Sequence, residues 1–177
     1  MVIGCPSMYM KGKRLHIQNP KLDVNSKVCF NSNVAASVPT RKFIKLKMKE
    51  FENHYFIGQV VNELRSIYLG APYEYKIEYN FRNVTDKIYQ DGRLRFFCNV
   101  PKWMEFLNDS DLTFGSRLHG NIAAVLAGTP ALLVTKDSRT RELAEYHPLN
   151  AIHESKLNEK LLSLIHISEP TRLRRIS

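Results

Sequence analysis

From Lys27 to Tyr146 the chain alternates short apolar runs with segments of helical period, and this alternation limits the fold more than any other feature. Val28-Cys-Phe30, Tyr55-Phe-Ile57, Leu94 to Cys98, Leu112 to Phe114 and Pro130 to Val134 read as strands. Between them, Thr40 to Asn53, Gln59 to Leu69, Pro101 to Leu107, Arg117 to Ala127 and Ser138 to Tyr146 read as helices, with Gly70 and Gly128 ending two of them. Ile44, Leu46 and Met48 also alternate as a strand would. Strands joined through helices imply βαβ units around a buried parallel sheet, an α/β, Rossmann-like fold. Residues 71 to 91 are aromatic, mixed in charge and without a clear period, so they receive no element.

The remaining composition narrows the class. A length of 177 residues is that of about one domain. Cys5, Cys29 and Cys98 are odd in number, far apart and without a CxxC pair, which argues against a disulfide framework or a cysteine-ligated zinc site. Such cysteine usage fits a reducing, cytoplasmic location; no run approaches the roughly 18 apolar residues of a membrane span, and Met1 to Lys21 is too polar for a signal peptide. The net charge of +9 favours an anionic partner. Through Asn53 there are ten Lys or Arg against three acidic residues, a net of +7, and 54–161 is close to neutral. A basic amphipathic segment at 40–51 places Arg41, Lys42, Lys45, Lys47 and Lys49 beside Phe43, Ile44 and Met48, which reads as a solvated helix with one core face or, alternatively, as a peripheral hold on the inner membrane face. Without interleaved aromatic and basic residues, nucleic acid is not expected.

The end of the chain carries a different signal. Leu162 to Arg172 matches, codon for codon, the translation of a sequencing-library transposase adapter, so 162–177 is expected to be a non-native read-through tail. Its arginines are therefore left out of any binding patch. At the other end, Val2 to Tyr9 opens in the middle of a pattern.

Chemistry concentrates at two strand-to-helix junctions, where a parallel sheet places its ligands. In Phe114-Gly-Ser-Arg-Leu-His-Gly-Asn121, Gly115 allows a tight turn, Ser116 is a natural helix N-cap, and Arg117 and His119 fall in the first helical turn beside Gly120. Arginine and free helix N-H groups together make an anion site, and His119 can carry a proton at neutral pH. Pairing of Arg117 with a neighbouring carboxylate, and a satisfied core role for His119, is the structural alternative. Thr135-Lys-Asp-Ser-Arg-Thr-Arg141 repeats the design: Asp137 or Ser138 caps the helix, while Lys136, Arg139 and Arg141 supply cations. His54, His147 and His153 read as loop or surface histidines, Cys5 as a buried turn residue. No carboxylate or histidine cluster suggests a metal.

Gly115-Ser-Arg-Leu-His-Gly-Asn-Ile-Ala-Ala-Val-Leu-Ala-Gly-Thr-Pro130, followed by Asp137-Ser-Arg-Thr-Arg-Glu-Leu143, resembles the polysaccharide pyruvyl transferase family. Ile3-Gly-Cys-Pro-Ser-Met-Tyr9, Phe30-Asn-Ser32 and Tyr55-Phe-Ile-Gly-Gln59 are similar to it in matching order, so the resemblance spans roughly 2–150. It implies two Rossmann-like halves in a glycosyltransferase-B-like arrangement, of which this chain resembles the C-terminal one. It divides the chain into an inter-domain segment at 1–22, a donor-binding domain at 23–161 and the tail. It also implies transfer of a pyruvyl group from phosphoenolpyruvate, a donor substrate and not a cofactor, to a saccharide acceptor that could be lipid-linked. Arg117 and His119 match the family's donor-engaging Arg and His, with His119 as general acid, and Ser116, Gly120, Arg139 and Arg141 are further candidates for binding. A half-enzyme is expected to turn over nothing alone. The competing expectations are a nucleotide-sugar-dependent glycosyltransferase on the same architecture and a non-enzymatic basic module for membrane surfaces.

Overall fold

The structure is a computed structural model that describes residues 4–33, 35–71, 84–147 and 149–157. Its elements are β1 (Val28–Asn31), α1 (Val38–Met48), β2 (His54–Gly58), α2 (Val61–Leu69), α3 (Lys87–Gln90) and β3 (Leu94–Phe96). They continue with α4 (Val100–Asn108), β4 (Leu112–Gly115), α5 (Leu118–Ala127), β5 (Ala131–Thr135), α6 (Ser138–Tyr146) and β6 (Ala151–His153). Short 3-10 helices at Pro6–Tyr9, Gly12–Arg14 and Glu154–Lys156 flank this series. The six strands form one parallel sheet in the order β3-β2-β1-β4-β5-β6. The α/β expectation therefore holds. The read-through expectation for 162–177 falls outside the described residues.

This strand order decides where a ligand can sit. The chain steps outward from β1 to β2 to β3, returns across the sheet, and steps outward again from β4 to β6. Right-handed crossovers put the helices of these two halves on opposite faces. Ile44 and Met48 of α1 pack on one face with Val28, Phe30, Phe56 and Phe114. Leu107 of α4, Ile122 and Ala124 of α5 and Ala144 of α6 pack on the other with Cys29, Ile57 and Leu133. Between β1 and β4 the helices leave in opposite directions, which opens a crevice above their carboxyl ends. Glycine keeps this crevice narrow, because a methyl group at Gly115 would strike the backbone oxygen of Asn31 on the neighbouring strand.

Three sequence expectations are corrected. Helix α1 ends at Met48 and not near Asn53, since the chain must turn back into β2. Its Lys47 is buried among apolar neighbours, where Nζ meets Glu50 at 2.8 Å and covers the Phe43 ring. Phe43, Ile44 and Met48 are likewise buried, so the apolar side of α1 is already used by the core. Strand β6 has no sequence counterpart: Ala-Ile-His is too short to show a period, and pairing with β5 makes it a strand. His147 is also buried, at 4% exposure, and its Nε2 accepts the Cys5 backbone N-H at 2.7 Å. Burial lowers its pKa. Among the described residues no helix is long and apolar enough to cross a membrane.

Candidate functional site

The carboxyl ends of β1, β2 and β4 meet around one buried carboxylate. Glu63, fully buried in the first turn of α2, accepts the backbone N-H groups of Gln59 at 2.6 Å and Val60 at 3.1 Å through Oε2. An acid here is favoured by the unsatisfied N-H groups of a helix start. Its other oxygen, Oε1, takes Arg117 Nη2 at 3.0 Å. Arg117 completes the frame, with Nε donating to the Ser32 carbonyl at 2.7 Å and its backbone N-H to Asn31 Oδ1 at 2.8 Å. Three loops that are distant in sequence are thereby joined by one ion pair whose side chains are 12% and 0% exposed.

The candidate residues take up different positions. Arg117 is the N-cap of α5 in extended conformation, not a first-turn residue, and it makes the carboxylate pairing that was the structural alternative. Ser116 is not the cap: its Oγ accepts the Asn33 backbone N-H at 2.8 Å, pinning the β1 loop to the β4 loop. Among the described residues no side chain caps α5, so its first N-H groups are left open at the carboxyl end of β4. His119 is exposed in that first turn. Gly120 is buried, and a methyl there would lie 2.5 Å from Gln59 Nε2.

The second junction is built otherwise. Asp137 caps α6, its Oδ1 accepting the Thr140 N-H at 2.7 Å, and hydrogen bonds from Thr140 hold its carboxyl below the usual range. Lys136 Nζ reaches across to the Ala35 carbonyl at 3.0 Å. Arg139 is exposed. Arg141 instead lines a separate open cleft of about 380 Å³ with Thr135, Glu145, Leu149, Ala151 and His153, and its Nε lies 4.0 Å from Glu145. Neither Arg117 nor His119 lines that cleft. Among the described residues no three His, Cys, Asp or Glu side chains gather as a metal set.

A crevice at the strand reversal, an uncapped helix opening on Arg-Leu-His-Gly and a buried acid behind the arginine can be set beside known proteins. The family model for polysaccharide pyruvyl transferase matches residues 1–138. The chain belongs to that family. No curated protein sequence matches it. Among solved structures it is similar to the glycotransferase of kitacinnamycin, at 12% identity and a TM-score of 0.44, covering 89% of this chain and 38% of that one. The chain thus spans well under half the length of that protein.

Sequence reasoning missed Glu63, Gln59 and Asn31. The acid in the first turn of a helix was the available signal for Glu63. Gln59 and Asn31 fell inside the segments that resemble the family, but no spacing assigned them chemistry.

Proposed function

We propose that this chain forms the donor-binding part of an enzyme that moves a pyruvyl group from phosphoenolpyruvate onto two hydroxyls of a saccharide, as a ketal. The observation that carries this reading is the uncapped start of α5, where His119 stands exposed beside an arginine locked onto Glu63. Free helix N-H groups and the outer edge of the Arg117 guanidinium suit a ligand bearing both a carboxylate and a phosphate.

His119, protonated, gives a proton to the donor's methylene carbon. The adjacent carbon becomes electrophilic, and one sugar oxygen adds to it, its hydroxyl proton restoring the histidine. The second sugar oxygen then displaces phosphate, which leaves with the C-O bonding pair, while the second hydroxyl proton goes to solvent or phosphate. The product is a ketal with a new methyl group, and no electrons are exchanged with a third reactant. Arg139 and Arg141 take no part in this reading, because the helix end that they flank is already capped by Asp137.

Thermal unfolding of the full chain with candidate ligands tests the reading. Phosphoenolpyruvate should raise the melting temperature, and a nucleotide sugar should not. His119→Gln should bind donor as the parent does, and in a version of the protein that carries both Rossmann-like halves, assayed with a saccharide acceptor, it should lose about a hundred- to ten-thousand-fold in rate. Stabilisation by the nucleotide sugar alone would transfer the site to a glycosyltransferase.

A further inference from the structure

Asn31 closes β1 at the centre of the sheet and is 2% exposed. Its carboxamide has a defined orientation, because Oδ1 accepts the Arg117 backbone N-H at 2.8 Å. The amide nitrogen therefore faces the other way, toward α5, where a methyl at Gly120 would lie 3.2 Å from it. Asn31 Nδ2 meets no acceptor among the described residues. Gln59 Nε2 is buried without a partner among the described residues, and it approaches the same point to 2.5 Å. Two carboxamide nitrogens thus converge on the place where α5 begins without a side-chain cap. Buried amide donors normally have acceptors, and leaving them unmet is unfavourable. Charge points the same way: Arg117 is matched by Glu63, so its guanidinium brings no net charge and neutral N-H donors beside it and the helix end gain weight in holding an anion.

We propose that Asn31 and Gln59 form a two-donor clamp at the start of α5 for one anionic oxygen of the ligand, carboxylate or phosphoryl. The proposal rests on the pyruvyl-transfer reading for the identity of the ligand and on the amide geometry for the clamp. Glycine at 120 is required because any side chain would occupy the position of the bound oxygen. Glycine at 115 is required because it lets β4 approach Asn31 closely enough to aim the amide.

Calorimetric titration of the full chain with phosphoenolpyruvate, pyruvate and inorganic phosphate tests the clamp. Asn31→Asp keeps the oxygen that holds Arg117 and replaces the donor by an acceptor; Gln59→Glu makes the same exchange on the other arm. Each should weaken phosphoenolpyruvate at least about tenfold. The simple anion whose affinity falls in parallel identifies the clamped oxygen as carboxylate or phosphoryl. If both variants fold as the parent does and bind phosphoenolpyruvate within about twofold of it, the clamp is overturned and the donor reading stands. If the parent ignores phosphoenolpyruvate but binds one of the simple anions, and both variants lose it, the clamp stands and the donor reading falls. A parent that binds none of the three overturns the clamp. Should Asn31→Asp fail to fold, Gln59→Met decides: it removes the donor at similar volume, and unchanged affinity overturns the proposal.

Discussion

Two strand ends of this sheet carry the same local design, a strand, a polar turn and a helix with arginine near its start, yet they are built in opposite ways. At the end of β4 the helix is uncapped, and Arg117 is held by Glu63, Ser32 and Asn31 in a setting that leaves its side chain 12% exposed. At the end of β5 the helix is capped by Asp137, and Arg141 stands 58% exposed, 4.0 Å from a Glu145 that is itself 71% exposed. The difference lies in which charge satisfies the helix start. Where the protein supplies its own carboxylate, the N-H groups are already used. Where it withholds one and fixes the surrounding donors, the helix start stays open, as the proposed anion site requires. An arginine in a motif therefore does not by itself mark an open helix start; the groups that meet the adjacent helix end decide that.

The sharpest way to break this comparison is to remove the acid on each side. Glu63→Ala leaves the Arg117 charge buried and strips two loop N-H groups of their acceptor, a change expected to cost about 3–5 kcal/mol in denaturant unfolding. Glu145→Ala removes only a solvent-exposed pair and should cost less than about 0.5 kcal/mol. Equal losses would show that the two junctions do not differ in construction. Next in size, Gly115→Ala drives a methyl group into the Asn31 carbonyl and should destabilise by about 1–3 kcal/mol, with anion binding reduced alongside. On the open side, Asp137→Ala frees the start of α6 at a cost of about 1 kcal/mol. The same substitution should make that end responsive to added phosphate, measured as a phosphate-dependent rise in melting temperature that the parent lacks there.

The smallest effect is a change of slope. His147 is buried and uncharged, with a pKa lowered from 6.5 by burial, and it receives the Cys5 N-H. A lowered value means that the unfolded chain binds the proton more readily. Its stabilisation is complete above pH 6.5 and declines as the pH falls below that value toward the lowered one. His54, lowered chiefly by burial, works in the same direction. Melting temperatures of His147→Gln between pH 7 and 5 should therefore fall less steeply than those of the parent without becoming flat. Parallel profiles would remove His147 from the balance.

How much of this was legible in the sequence depends on the range of the forces involved. The apolar runs that begin at Val28, Tyr55, Leu94, Leu112 and Ala131 each lie on a strand, and for the central β1 and β4, buried at every position, burial on both faces of a parallel sheet writes itself locally into the chain. Gly70 and Gly128 end their helices in left-handed conformation, again a local requirement. The block from Gly115 to Gly120 was legible as a strand-to-helix junction for the same reason. Its supports were not. Glu63 and Asn31 reach Arg117 across 54 and 86 residues, contacts that only the strand order creates. Lys47 shows the converse: its charge suggested a solvated or membrane-facing surface, whereas the Glu50 carboxylate and the Phe43 ring allow it to be buried. His147 looked like a loop histidine until the Cys5 N-H came to it from the other end of the domain.

The placement of β1 has a consequence for how such a chain is made. Among the strands of this sheet it is the first to be synthesised and one of the two central ones, and its second neighbour, β4, lies 84 residues downstream, as Asn31 pairs with Gly115. During synthesis β1 can join β2 and β3 early, but its other edge stays open until residue 115 has emerged. An unpaired edge of that kind invites mispairing. The junction proposed to receive an anion needs both β4 and the start of α5, so it can form only after that edge has been closed.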